Sequence, residues 1–197
     1  MESKSEELLI LAIVGMPGTG KSEVIKTLVK DYDFSHLYYG GITLDEVKKR
    51  GLEQNQENEK IVREELRKEL GLGAYSIKIL PEIEKAISQG KKLIVLESMY
   101  NVFEYEIIKS KFTFNFKVLA IYSDFDIRVR RLLVRNERKL NGEQLVERQI
   151  DEAKNLGKGA VIAMADFHFI NNASDMRQFE LDLESLIEQK LGLKKLV

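Results

Sequence analysis

Residues 8–22 read LLILAIVGMPGTGKS. Seven apolar residues run into a turn that holds three glycines. The next stretch, EVIKTLVKDY, places Val24, Ile25, Leu28 and Val29 at helical spacing. A strand, a glycine-rich turn and an amphipathic helix, in that order, predict a βα unit whose turn cradles phosphate. Gly15, Gly18 and Gly20 permit backbone shapes that a Cβ forbids and let the chain approach a ligand closely. Their N–H groups, with the free N–H groups of the helix start, form an anion cradle; Pro17 and Thr19 belong to the same nucleotide-binding loop. Lys21 can then meet the β- and γ-phosphates as a positive charge, and Ser22 can offer a hydroxyl to Mg²⁺. The plainer alternative is a strand–helix connection that only happens to be glycine-rich; the flanking strand and helix favour nucleotide binding.

The rest of the chain alternates between the same two patterns. Strands are expected at 34–41, 91–98, 116–123 and 167–170, the second strand ending in the glycine pair of YYGG. Helices are expected at 43–51, 57–71, 74–90 (with Pro81 inside), 101–110, 124–139, 141–157 and 175–192. Alternation of this kind predicts an α/β protein with a mostly parallel five-stranded sheet covered on both faces. In such sheets ligands bind beyond the carboxyl ends of the strands, so functional residues should follow strands directly.

Glu97 ends LIVLE, where an acid can hold a Mg²⁺-bound water or touch a substrate. Arg128, Arg131, Arg135 and Arg138 share one helical stripe, and arginine forks suit phosphate oxygens. A solvated face paired with glutamates is the alternative. The polar stretch NERKLNGEQ after them can form a mobile lid that excludes water. Gly40 and Gly41 permit close approach of a second substrate, or form a simple turn. Arg63 can grip an acceptor phosphate, although Glu59, one helical turn away, offers it an ion pair. His36 and His168 stand isolated and read as structural residues rather than metal ligands.

Composition narrows the classes. Of 197 residues, 44% are hydrophobic, enough for a real core, and the net charge of −1 gives no basic field for nucleic acid or anionic membranes. The chain has no cysteine, which excludes disulfides, zinc–thiolate sites and thiol catalysis. No apolar run is long enough to span a bilayer, and MESKSEE is unlike a signal peptide. A cytoplasmic enzyme acting on a small molecule is the expectation. No Asn-Lys-x-Asp element occurs, which argues against a guanine-selective switch.

Taken in order, GMPGTGKS, YYGGITLDEVKKRGL, VREELRKELG, LIVLES, RVRRLLVRNERK and ERQIDEAKNLGKGAVIAMADFHFINNAS resemble the P-loop nucleotide and nucleoside kinases. The resemblance is to their dephospho-CoA kinase and adenylate-kinase-related branch above all, and covers about residues 8–174. It implies a three-layer α/β/α P-loop NTPase fold, a single domain over 1–197 with a short lid at about 136–147, and an acceptor-binding helical region at about 40–90. It implies ATP, Mg²⁺ and a small-molecule phosphoryl acceptor. By position, Lys21 and Ser22 would serve the phosphates and the metal, Arg131 and Arg135 would be lid arginines at the transferring group, and Asn171 would lie near the adenine. Glu97 would stand for the strand-end acid. Two departures are visible: Glu97-Ser98 replaces a common Asp-Gly, and YYGG stands where dephospho-CoA kinases carry Asp-Ala-Asp. A non-catalytic ATP-binding regulatory protein on a kinase scaffold is the alternative these departures leave.

Overall fold

The structure is a computed structural model that describes residues 7–134, 144, 146, 147, 150, 152 and 157–196. Its centre is β1 (Leu9–Val14), LILAIV, an apolar run buried on both sides, as only a sheet covered on two faces allows. To one side of β1 lie β3 (Leu93–Glu97) and then β2 (Ser35–Tyr38); to the other lie β4 (Phe116–Tyr122) and β5 (Phe167–Ile170). Every pairing is parallel. The expected mostly parallel five-stranded sheet is therefore wholly parallel.

The two-residue period of the strands divides the core. Ile10, Ala12 and Val14 face one side with Ile94, Leu96, Val118 and Ala120. There α2 (Tyr39–Lys49), α3 (Gln56–Leu70), α4 (Ala74–Ser88) and α5 (Val102–Lys111) cover them, with α7 (Lys158–Ala163) alongside. Leu11 and Ile13 face the other side with Val95, Leu119 and Ile121, under α1 (Lys21–Tyr32) and α8 (Met176–Leu186). The chain after α8 widens into a π-helical turn at Ile187–Leu191. Between β4 and α7 stands α6 (Phe125–Leu133). No described helix is long and apolar enough to cross a membrane.

Two elements differ from expectation. The second strand ends at Tyr38, and the glycine pair lies in the first turn of α2 rather than in a strand-end turn. Tyr39 decides this: its ring is buried and its hydroxyl lies 2.8 Å from Ser76 Oγ on α4, which seats the helix start in the core. Lys158–Ala163 forms a helix that hydrophobic periodicity does not reveal, because six residues are too few to show a period. The arginine-bearing helix is described only to Leu133. Arg135, Arg138 and most of the expected lid at about 136–147 lie outside the described residues.

Candidate active site

The loop after β1 is held from three directions. Gly15 has φ 148°, and a Cβ there would stand 2.5 Å from the Ile121 carbonyl oxygen of β4. At Gly18 (φ 82°) a Cβ would lie 2.9 Å from the Arg128 carbonyl oxygen of α6. At Gly20 (φ 92°) it would lie 2.4 Å from Asn171 Nδ2, just beyond β5. Each glycine is thus required twice, by its left-handed backbone and by a neighbour with no room for a methyl group. Thr19 is buried and donates its hydroxyl to the Met16 carbonyl at 3.0 Å, closing the loop on itself. Lys21 Nζ donates to the carbonyls of Gly15 at 2.9 Å and Met16 at 3.0 Å, so its ammonium lies across the loop. Gly20 caps the 12-residue α1, whose start directs free N–H groups and positive partial charge to the same place.

Asn171 belongs to this unit. It is buried and donates Nδ2 to the Thr19 carbonyl at 2.9 Å. Its backbone carbonyl accepts from Ser123 Oγ at 2.6 Å and from Arg131 Nη1 at 3.1 Å. Arg131 also donates to Ser123 Oγ (3.1 Å), Asn171 Oδ1 (3.3 Å) and the Ala173 carbonyl (3.3 Å). Its fork therefore ties α6 to the segments that follow β4 and β5. Asp166, part of the same sequence stretch, lies apart and accepts from the Val118 N–H at 2.8 Å.

Arg128 does not lie on a solvated face, the alternative weighed for the arginine stripe. It is 8% exposed, donates Nε to the Ser123 carbonyl at 3.2 Å, and carries its guanidinium 5.5 Å from the Phe125 ring centroid. Its Nη1 is buried without a hydrogen-bond partner, and burial lowers its pKa from the usual arginine range. The cause is the close packing of α6 on Gly18, which turns this face of the helix inward.

Glu97 and Ser22 line one groove with Ile25, Lys26, Val29, Lys30 and His36. A hydroxyl and a carboxylate are hard oxygen donors of the kind Mg²⁺ takes alongside phosphate oxygens, so these two residues fit that ion. His36 is not isolated. Parallel pairing sets it beside Val95, on the same face of the sheet as Glu97, and Nε2 lies 2.8 Å from Glu97 Oε2. Ser98 follows at φ 73°, a backbone conformation that favours glycine, at one of the places where the chain departs from Asp-Gly.

The expected acceptor residues stand farther along the chain. At Gly40 the close neighbour is the Tyr38 ring, 2.2 Å from where a Cβ would be; at Gly41 a Cβ meets nothing within 4 Å. Arg63 donates to Glu59 at 3.3 Å, the pairing its spacing offers.

Glu104 was not among the expected residues, although Asn-x-x-Glu at 101–104 is a helix-start signature. Asn101 Oδ1 accepts the Glu104 N–H at 3.0 Å, and Glu104 Oε2 accepts the Tyr100 N–H at 2.7 Å. Glu104 is fully buried, and its Oε1 has no hydrogen-bond partner. Burial pushes its carboxyl from 4.5 up to about 7, against the opposing pull of the Tyr100 N–H and the Arg67 charge. Between those values the unfolded chain has released this proton and the folded chain keeps it. The Glu104 contribution to stability therefore falls as pH rises through the window, by about 3 kcal/mol, and levels off above it. The unfolding free energy of the wild type minus that of Glu104→Gln, from urea melts between pH 4.5 and 7, is expected to show that fall. A difference that does not change with pH would remove the assignment.

Comparison with known proteins agrees with this geometry. A family model described as AAA domain matches residues 14–145. A UPF0200 protein of Thermococcus kodakarensis is 32% identical over 92% of this chain and 97% of its own length. One from Pyrococcus abyssi is 33% identical over 93% and 97%. Among solved structures, a Thermus thermophilus protein superposes with a TM-score of 0.61 at 18% identity, over 94% of this chain and 97% of that one. Shikimate kinase from Bacteroides thetaiotaomicron superposes with a TM-score of 0.59 at 14% identity, over 94% and 99%. At such identities the likeness establishes the P-loop kinase fold. The dephospho-CoA and adenylate kinase branch, read from the sequence, is not singled out.

Proposed function

The chain belongs to the AAA domain family, through the match over residues 14–145, and to the UPF0200 proteins, and from that membership we propose an ATP-dependent small-molecule kinase. It transfers the γ-phosphoryl group of ATP to a nucleotide-like or dephospho-CoA-like acceptor. The observation that carries this reading is the groove that Ser22 and Glu97 both line, next to a loop shaped by three glycines.

The residues divide the work by chemistry. The backbone N–H groups of 15–22 and the start of α1 bind phosphate oxygens. Lys21 adds a charge that follows the developing negative charge. Ser22 and Glu97 would hold the metal, which would supply charge neutralisation and orientation of the phosphates. Asn171 and Arg131 keep the loop and the segments after β4 and β5 in register, and the adenine would lie near Asn171. Arg135 supplies a further positive charge to the transferring group, and the lid at about 136–147 excludes water. The acceptor enters from the helical region at about 40–90, where Gly40, Gly41 and Arg63 stand.

The test is ADP release with ATP, Mg²⁺ and a panel of acceptors: nucleoside monophosphates, nucleosides, dephospho-CoA and, given the structural neighbours, shikimate. Release that depends on one acceptor is expected. Silence across the panel, with ATP still raising the melting temperature, would favour the non-catalytic regulatory alternative.

A further inference from the structure

His36 takes no part in the phosphate loop, yet it is the one described residue that hydrogen-bonds the Glu97 side chain. An ionised carboxylate only accepts, so Nε2 carries the proton and donates to Oε2 across 2.8 Å. The pair lies in the groove that Ser22 lines. It joins β2 to β3, and its geometry is set by the parallel register that puts Tyr38 opposite Glu97. A glutamate at this strand end has one more rotatable bond than an aspartate. With Oε2 engaged by His36, that freedom is removed while Oε1 stays available.

We infer that His36 is a positioning residue for the divalent cation, holding the Glu97 carboxylate in the groove that Ser22 also lines. The inference rests on the kinase reading and adds a residue that the P-loop motif does not contain. Its physical basis is general: a carboxylate that ligates a metal is oriented by a hydrogen-bonding neighbour, and removal of that neighbour weakens metal binding about 10–100-fold. A contribution to folding is not expected to explain such a loss, because a partly exposed pair of this kind stabilises little.

The experiment measures the affinity of a non-hydrolysable ATP analogue by calorimetry, with Mn²⁺ and again with chelator, for wild type, His36→Leu, His36→Gln and Glu97→Gln. Mn²⁺ stands in for Mg²⁺ as an octahedral, oxygen-seeking ion. The readout is the factor by which Mn²⁺ tightens nucleotide binding. In His36→Leu that factor is expected to fall about 10-fold or more, as in Glu97→Gln, while affinity in chelator and the melting temperature stay at wild-type values. His36→Gln, whose amide N–H can replace the Nε2 donor, is expected to restore it. A wild-type factor in His36→Leu, beside a lost one in Glu97→Gln, would overturn the role of His36 and leave the kinase reading standing. A loss that His36→Gln does not restore would assign the effect to packing and overturn it as well. No Mn²⁺ effect in the wild type would sink both the inference and the metal-dependent reading beneath it.

Discussion

Lys21→Ala is expected to lower acceptor-dependent ADP release by about 10³-fold, the scale of removing a preorganised charge from a phosphoryl-transfer site. The ammonium is already placed: it bridges the carbonyls of Gly15 and Met16, at 2.9 and 3.0 Å, across the mouth of the loop. Alanine removes the charge and these hydrogen bonds but leaves in place the neighbours that press on the three glycines, Ile121, Arg128 and Asn171. The fold should therefore survive, and unchanged melting in the absence of nucleotide would show it. Lys21→Arg is expected to rescue poorly, because a planar fork does not replace a compact ammonium between two carbonyls. Activity of Lys21→Ala within tenfold of wild type would place the transferring phosphate somewhere other than this loop.

The largest effect on stability is expected at Lys158. This lysine opens α7, where the helix dipole disfavours a cation. It is nevertheless buried, because its ammonium lies 2.7 Å from the equally buried Glu152 carboxylate and 4.5 Å from the Tyr100 ring centroid. Lys158→Met keeps the aliphatic volume and leaves the Glu152 carboxylate buried without the ammonium, at a cost of about 3–5 kcal/mol. For a chain of this length that lowers the melting temperature by roughly 10 °C. The double change Lys158→Met with Glu152→Leu should recover most of the loss, because burying the pair itself costs desolvation. Urea unfolding of the two single variants and the double closes the cycle. A double variant as unstable as Lys158→Met alone would show that the pair does not carry the effect. The consequence reaches the site, since Tyr100 lies in the segment that leaves Glu97 and starts α5.

The parts of this protein legible in one sequence are those with a local signature. GMPGTGKS marks its loop because glycine, lysine and serine at those spacings serve a nearby backbone, and the apolar run before it marks a strand buried on both faces. The departure at Glu97-Ser98 is likewise visible as text, and the structure shows its backbone consequence at Ser98, held at φ 73°. The start of α2 was not legible: YYGG has the composition of a turn, and only the seating of Tyr39 against Ser76 makes it helical. The spacing of the arginines was legible, but whether Arg128 met phosphate, solvent or the core was not, because helical periodicity says which residues share a face and not what that face meets.

What the sequence determined alone, then, is the phosphate loop, the alternation of strands and helices, and the parallel sheet that this alternation requires. The tertiary structure alone decided which distant residues complete the site. Asn171 reaches the Thr19 carbonyl because β4 and β5 stack beside β1 in the order β2-β3-β1-β4-β5. His36 reaches Glu97 because β2 pairs with β3 in one register. Periodicity and turn chemistry are properties of neighbours along the chain. Hydrogen bonds such as His36 to Glu97 and Asn171 to Thr19, 61 and 152 positions apart, depend on strand order and register, which are set by how the whole core packs.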